Sequence, residues 1–110
     1  MPKLDLLKGT LPLLVLSVLR EEELYGYEIA QRIRERSRDL FSPSEGSLYP
    51  ALHRMEKRGW IDARWGQSDS NRRAKFYSLT RKGRAESAVQ SENWQRVSGA
   101  VAQVLRLAAD

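Results

Sequence analysis

Residues 42–60 read SPSEGSLYPALHRMEKRGW. Small polar residues crowd the start of this stretch, a Tyr-Pro pair interrupts its first turns, and basic residues gather toward Gly59. On a helical wheel Leu48, Leu52 and Met55 share one side, flanked by Ala51 and Tyr49. Ser47, Pro50, Arg54 and Lys57 share the opposite side, with Gly46, His53 and Arg58 at its edges. One side suits a core and the other suits a nucleic-acid groove. Two residues compete for the start. Ser42, followed by Pro43 and by Glu45 three positions on, has the capping-box pattern. Ser44 would bring Pro50 closer to the helix start, where a lost hydrogen bond disturbs less, and is the favoured cap. A recognition helix is therefore expected over residues 44–58.

The charge distribution points the same way. The net charge is +5, but residues 1–53 carry seven basic and eight acidic groups, and residues 85–110 carry two and three. Residues 54–84 carry ten basic and three acidic groups, so all of the excess lies in one middle segment. A charge kept for solubility would be spread out, whereas a polyanion-binding surface is local. With no cysteine and the single histidine His53, disulfides are excluded and neither a metal site nor a cofactor is expected. At 110 residues the chain fits one domain with an appended helix.

Upstream, LPLLVLSVLREEE follows the helical period, with Leu11, Leu14, Val15, Val18 and Leu19 on one stripe and Leu13 and Leu16 widening it. Thr10 can cap this helix and Pro12 falls in its first turn, so the expected span is Thr10 to Glu22, preceded by a short arm. The apolar run is too short to span a bilayer and has no cleavage-like site after it, so it reads as a core helix of a cytoplasmic protein without membrane contact. The acid run Glu21 to Glu23 reads as a solvated helix end. A turn and a second helix, Tyr25 to Ser37, follow, with Ile29 and Ile33 inward and Arg32, Glu35, Arg36 and Arg38 outward.

Downstream, Trp60 to Trp65 and Phe76 to Leu79 are strand-like, separated by the polar residues Gly66 to Arg73, among which Asn71 can turn. This is a β-hairpin whose tip and return arm carry Arg72, Arg73 and Lys75, with Trp60 and Trp65 read as hairpin core. Thr80 caps a final helix. Three helices, a hairpin and another helix make an α+β, mainly α chain: a winged helix-turn-helix over residues 1–80 and a C-terminal dimerisation helix over residues 81–110.

A major groove admits an α-helix, and base edges must be approached without bulky obstruction. Ser44, Gly46 and Ser47 allow that approach, and their hydroxyls and the helix N-terminal amides can bind phosphate. Tyr49, Pro50, His53, Arg54 and Lys57 complete the outward face, and Arg72, Arg73 and Lys75 of the wing, residues 66–75, suit the neighbouring minor groove or its phosphates. In the last helix Trp94, Val97, Val101, Val104 and Ala108 are spaced 3, 4, 3 and 4, with Ala100 and Leu105 thickening the seam. A second copy is expected to bury that stripe, placing two recognition helices about 34 Å apart on a palindromic operator in double-stranded DNA.

Taken together, LLKGTLPLLVLSVL, YGYEIAQRI, GSLYPALHRMEKRGWI, WG at 65–66, RRAKFYSLTRKG and ENWQRVSGAVAQVL resemble the PadR family of transcriptional regulators over Leu6 to Leu107. The resemblance, closest to the smaller subgroup with a single short C-terminal helix, implies a homodimeric winged-helix repressor. It implies DNA contact at Tyr49 and at Arg72, Arg73 and Lys75. It also implies a small aromatic effector between the subunits near Trp94, a residue that otherwise packs in the dimer seam. Asn71 departs from the family pattern, where glycine is frequent. Two other classes compete with DNA reading. A winged-helix protein-interaction module needs no basic charge on both helix and wing. An enzyme needs a nucleophile–base set, paired carboxylates, a phosphate-binding glycine loop or metal spacing, and none is present in the sequence.

Overall fold

In the computed structural model, which describes residues 6–107, four helices surround a small antiparallel sheet. Helices α1 (Leu6–Leu19), α2 (Gly26–Arg36) and α3 (Glu45–Lys57) precede a hairpin of β2 (Ile61–Gln67) and β3 (Arg73–Leu79), and α4 (Arg81–Val104) ends the chain. A two-residue strand, β1 (Leu24–Tyr25), joins the far side of the hairpin, giving the strand order β1-β3-β2. The winged helix-turn-helix read from the sequence is the fold observed.

The core forms where the helical and strand periods coincide. Val15, Leu16, Val18 and Leu19 of α1 meet Ile29 and Ile33 of α2 and Leu48, Leu52 and Met55 of α3, and Ile61 and Tyr77 close it from the hairpin. α1 packs against α2, α3, α4 and β3, which makes it the central helix.

Four local details differ from the sequence reading. α1 starts at Leu6, so residues 6–9 are helical rather than an arm, Thr10 lies inside the helix, and Pro12 sits in its interior. Pro12 forfeits the rung to the Lys8 carbonyl, and burial of the following turns offsets that loss. α1 also stops at Leu19, short of Glu22, because the acids beyond it turn toward arginines: Glu21 pairs with Arg36 and Glu22 with Arg32, both on α2. Glu23 pairs with Arg64 of β2, so the acid run is a set of ion pairs and not simply a solvated end. Leu24, expected in a turn, and Tyr25, expected to begin the second helix, pair with Tyr77 and Phe76 as β1, a strand too short to show alternation, and α2 starts at Gly26.

The helix ends follow capping rules closely. Ser44 is the α3 cap, its hydroxyl accepting from the Ser47 amide at 3.2 Å. Gly59, at φ +78°, closes α3: its amide donates to the Glu56 carbonyl and that of Trp60 to the Met55 carbonyl, the two bonds of a Schellman end. Thr80 caps α4 by accepting from the Gly83 amide at 2.9 Å, while its own hydroxyl donates to the Gly59 carbonyl at 2.6 Å. The Thr80 amide donates to the Trp60 carbonyl at 3.1 Å. One threonine thus joins the end of α3 to the start of α4.

Gly83 lies so close to this joint that a Cβ on it would overlap the Trp60 carbonyl oxygen. Because the obstacle is backbone, neither side can yield without opening the joint. Gly83→Ala is expected to destabilise the protein by about 3 kcal/mol or more in urea unfolding. A loss below about 1 kcal/mol would show that the joint is looser than its geometry.

Candidate nucleic-acid interface

The outward side of α3 is the surface the wheel anticipates. Ser44, Gly46, Ser47, Tyr49, Pro50, His53, Arg54 and Lys57 are all exposed, while Leu48, Ala51, Leu52 and Met55 are buried beneath them. The Ser44 hydroxyl donates to the Ser47 hydroxyl oxygen at 3.1 Å, which leaves the Ser47 proton free to donate outward. Pro50 forfeits the rung to the Gly46 carbonyl, but both residues are exposed and water can satisfy that oxygen.

Tyr49 sits where α3 crosses the start of α2. A Cβ on Gly26 would come within 2.7 Å of the Tyr49 hydroxyl and 2.9 Å of its ring. The glycine in Tyr25-Gly26-Tyr27-Glu28 therefore makes room for a tyrosine in another motif. The ring is wedged and the residue is still 44% exposed, so α2 holds it while one side remains available. Beside it, burial and then the charge of Glu56 raise the Tyr77 hydroxyl above its ordinary value, so this group is neutral near pH 7.

The wing is a hairpin with Gln67 opposite Arg73 as its last regular pair. The Asn71 amide donates to the Ser68 carbonyl at 2.9 Å and the Ser68 amide to the Arg72 carbonyl at 2.8 Å. Asn71 itself takes φ 62°, the left-handed turn that asparagine adopts more readily than most residues. The departure from glycine at the tip thus leaves the turn intact. Arg72 and Arg73 are exposed, and Lys75 reaches back to Glu56 of α3 at 3.4 Å, bracing wing against helix.

Two sets of basic residues differ in their partners. Arg32, Arg36 and Arg64 are tied to Glu22, Glu21 and Glu23, away from α3. Arg54, Lys57, Arg72 and Arg73 make no ion pair among the described residues. Exposed ion pairs contribute only about 0–1 kcal/mol each. Their larger effect here is to neutralise three arginines of α2 and β2, while of the basic residues on α3 and the wing only Lys75 has a carboxylate partner among the described residues.

Trp65 departs from its expected place in the hairpin core. It shares a face of β2 with Ile61 and Ala63, but the core ends before it, and the indole is 57% exposed with the Arg73 guanidinium 4.4 Å from its ring centre. Trp60 does pack against the core, and it also lines a groove of about 400 Å³ between α1 and α4. Trp94 and Val97 form the other wall of that groove. Val101, Val104 and Leu105 continue an exposed apolar stripe to the end of α4. Ala108 lies outside the described residues. Among the described residues, no group of His, Asp and Glu side chains could hold a metal ion, and no helix is long and apolar enough to cross a membrane.

Comparison with known proteins agrees with this geometry. The model of the transcriptional regulator PadR-like family matches residues 15–89. A transcriptional regulator from Clostridium thermocellum superposes with a TM-score of 0.82 at 30% identity, covering 91% of this chain and 97% of that one. A PadR-like transcriptional regulator from Bacillus cereus gives 0.79 at 32% identity over 93% and 97% of the two chains. The negative transcriptional regulator PadR of Bacillus subtilis is 31% identical over 72 residues, 66% of this chain and 40% of that protein, so the chain spans well under half of its length.

The fit between Gly26 and Tyr49 can be tested by coupling. Gly26→Ala is expected to lower stability by about 1–3 kcal/mol, and most of that loss should disappear in a Tyr49→Ala background. Additive losses in chemical denaturation would mean that the ring is not wedged against Gly26.

Proposed function

The chain belongs to the PadR-like family of transcriptional regulators, and from that premise we propose that it is a dimeric, sequence-specific DNA-binding repressor. The family is one of regulators, not enzymes. The observation that carries the reading is the unpaired positive surface shared by α3 and the wing. α3 enters the major groove with Ser44, Gly46, Ser47, Tyr49, Pro50 and His53 toward base edges and flanking phosphates, while Arg54 and Lys57 contact the backbone. Arg72 and Arg73 take the minor groove or its phosphates, and Lys75 fixes the angle between wing and helix. Repression needs no chemistry, because an occupied operator excludes the transcription machinery.

Residues 1–80 form the DNA-binding part in this reading, and residues 81–110 the dimerisation helix. Support comes from α4, which buries only Gly83 and Ser87 and leaves Trp94, Val97, Val101, Val104 and Leu105 exposed. Such a continuous apolar stripe is the usual mark of an association surface. Two copies paired along α4 would present two recognition helices to an inverted repeat. Relief by a flat aromatic effector fits the groove between Trp60 and Trp94, and the effector would act by changing the spacing of the two α3 helices.

DNA from upstream of the protein's own gene, searched for an inverted repeat and titrated at several salt concentrations, tests this reading. Affinity should fall steeply with salt, and replacing Arg72 and Arg73 together by Ala should weaken binding to every duplex and reduce the salt slope by about 2. Val101→Glu should convert the dimer to a monomer in sedimentation and lower affinity for the repeat by about a hundredfold. A wild-type monomer, or no shift even at low salt, would overturn the proposal. A protein partner captured without any DNA shift would instead favour the interaction module. The effector site has its own readout: planar aromatics should quench tryptophan fluorescence in the wild type and not in Trp94→Phe. A quench that survives the substitution excludes Trp94 as the reporter, because Trp60, on the same groove, and Trp65 remain.

A further inference from the structure

A cleft of about 320 Å³ opens between the start of α2, the outer side of α3 and the inner side of the wing. Gly26 and Tyr49 form one wall and Trp65, Arg73 and Lys75 the other. The strand register puts Trp65 opposite Lys75, on the face whose earlier residues, Ile61 and Tyr77, are buried. The indole thus continues the apolar side of the hairpin beyond the core, where it is 57% exposed and the Arg73 guanidinium lies over its ring.

From this arrangement we infer that the cleft is the seat of one sugar–phosphate unit of the DNA backbone, with Trp65 as its platform. The inference rests on the DNA-binding reading above and adds a residue and a subsite to it. Three features select this occupant. The cleft lies between the two elements proposed to straddle a backbone strand. Its lining contains two cations and no carboxylate, which suits a phosphate and not an uncharged apolar segment. The indole face and the Tyr49 ring provide apolar walls for a deoxyribose, a group with little charge and an exposed hydrocarbon surface. Arg73 lies against the ring it would share with the sugar, and its guanidinium makes no ion pair among the described residues, so its donors are free for phosphate oxygens. Lys75 pairs with Glu56 at 3.4 Å on the α3 side of the cleft, which favours a position along its wall. A backbone subsite of this kind contributes affinity without reading sequence.

The test uses the whole protein and a labelled mixed-sequence duplex at low salt, followed by anisotropy across a salt series. Trp65→Ala should weaken binding by about tenfold with an unchanged salt slope, because an uncharged ring releases no counterion. Arg73→Ala should reduce the slope by about 1, and Trp65→Phe should retain most of the affinity. Fluorescence offers a readout independent of stability: DNA should quench the wild-type tryptophan emission, and folded Trp65→Phe should lose that quench. Wild-type binding that is unaffected by Trp65→Ala, or a quench that persists in Trp65→Phe, would overturn the subsite while leaving the DNA-binding reading intact. That is also the outcome if a peptide or small molecule occupies the cleft. If the wild type binds no duplex at all, the functional reading fails first and the subsite fails with it.

Discussion

The contact between the first turn of α4 and the Trp60 carbonyl is the constraint on which the rest of the molecule is arranged. That oxygen receives the Thr80 amide and lies against Gly83, while the Thr80 hydroxyl reaches the Gly59 carbonyl at the end of α3. Backbone meets backbone here, with no flexible side chain between to absorb a shift. The end of α3 and the start of α4 are therefore joined through direct backbone contact. In the proposed dimer, a change in how two α4 helices pair would appear directly as a change in the separation of two α3 helices. A weaker joint, built from side chains, would dissipate the same change locally.

Electrostatics is arranged by cancellation as much as by accumulation. The net charge of +5 is modest, and three arginines are spent on Glu21, Glu22 and Glu23. Arg64 shows how this is done: its guanidinium crosses the Phe76 ring at 5.0 Å and its Nε donates to Glu23 at 2.9 Å, spanning the sheet. The cation is thereby held on the outer face, opposite to the side where Trp65 and Lys75 lie. A polyanion approaching the protein meets a field with a preferred side, which is what orients an encounter before contact.

Much of this was legible in the sequence because it depends on period and caps. The buried and exposed sides of α3, its start at Ser44, its end at Gly59 and the hairpin all follow from local rules that act within a few residues. What escaped depends on partners distant in the chain. The ion pairs of Glu21 to Glu23 involve residues from ten to forty-one positions away, and a run of acids looks the same whether paired or solvated. Gly26 stood within a recognisable motif, but its purpose is the Tyr49 ring, and no local pattern links the two. Trp65 was misplaced for a related reason: strand alternation gives the face of a side chain correctly and says nothing about how far the core extends beneath it. The α1 start was missed because Pro12 is a breaker only when burial fails to outweigh one lost rung.

The two-residue strand β1 has a bearing on solubility. Sheet edges invite pairing with other chains, and a protein that displays so much apolar surface on α4 is exposed to that risk. On one side the sheet ends in a strand two residues long, preceded immediately by three glutamates. On the other side, Asp62 and Arg64 interrupt β2 with charge. A very short border on one side and a charged one on the other both discourage ribbon-like pairing through the sheet.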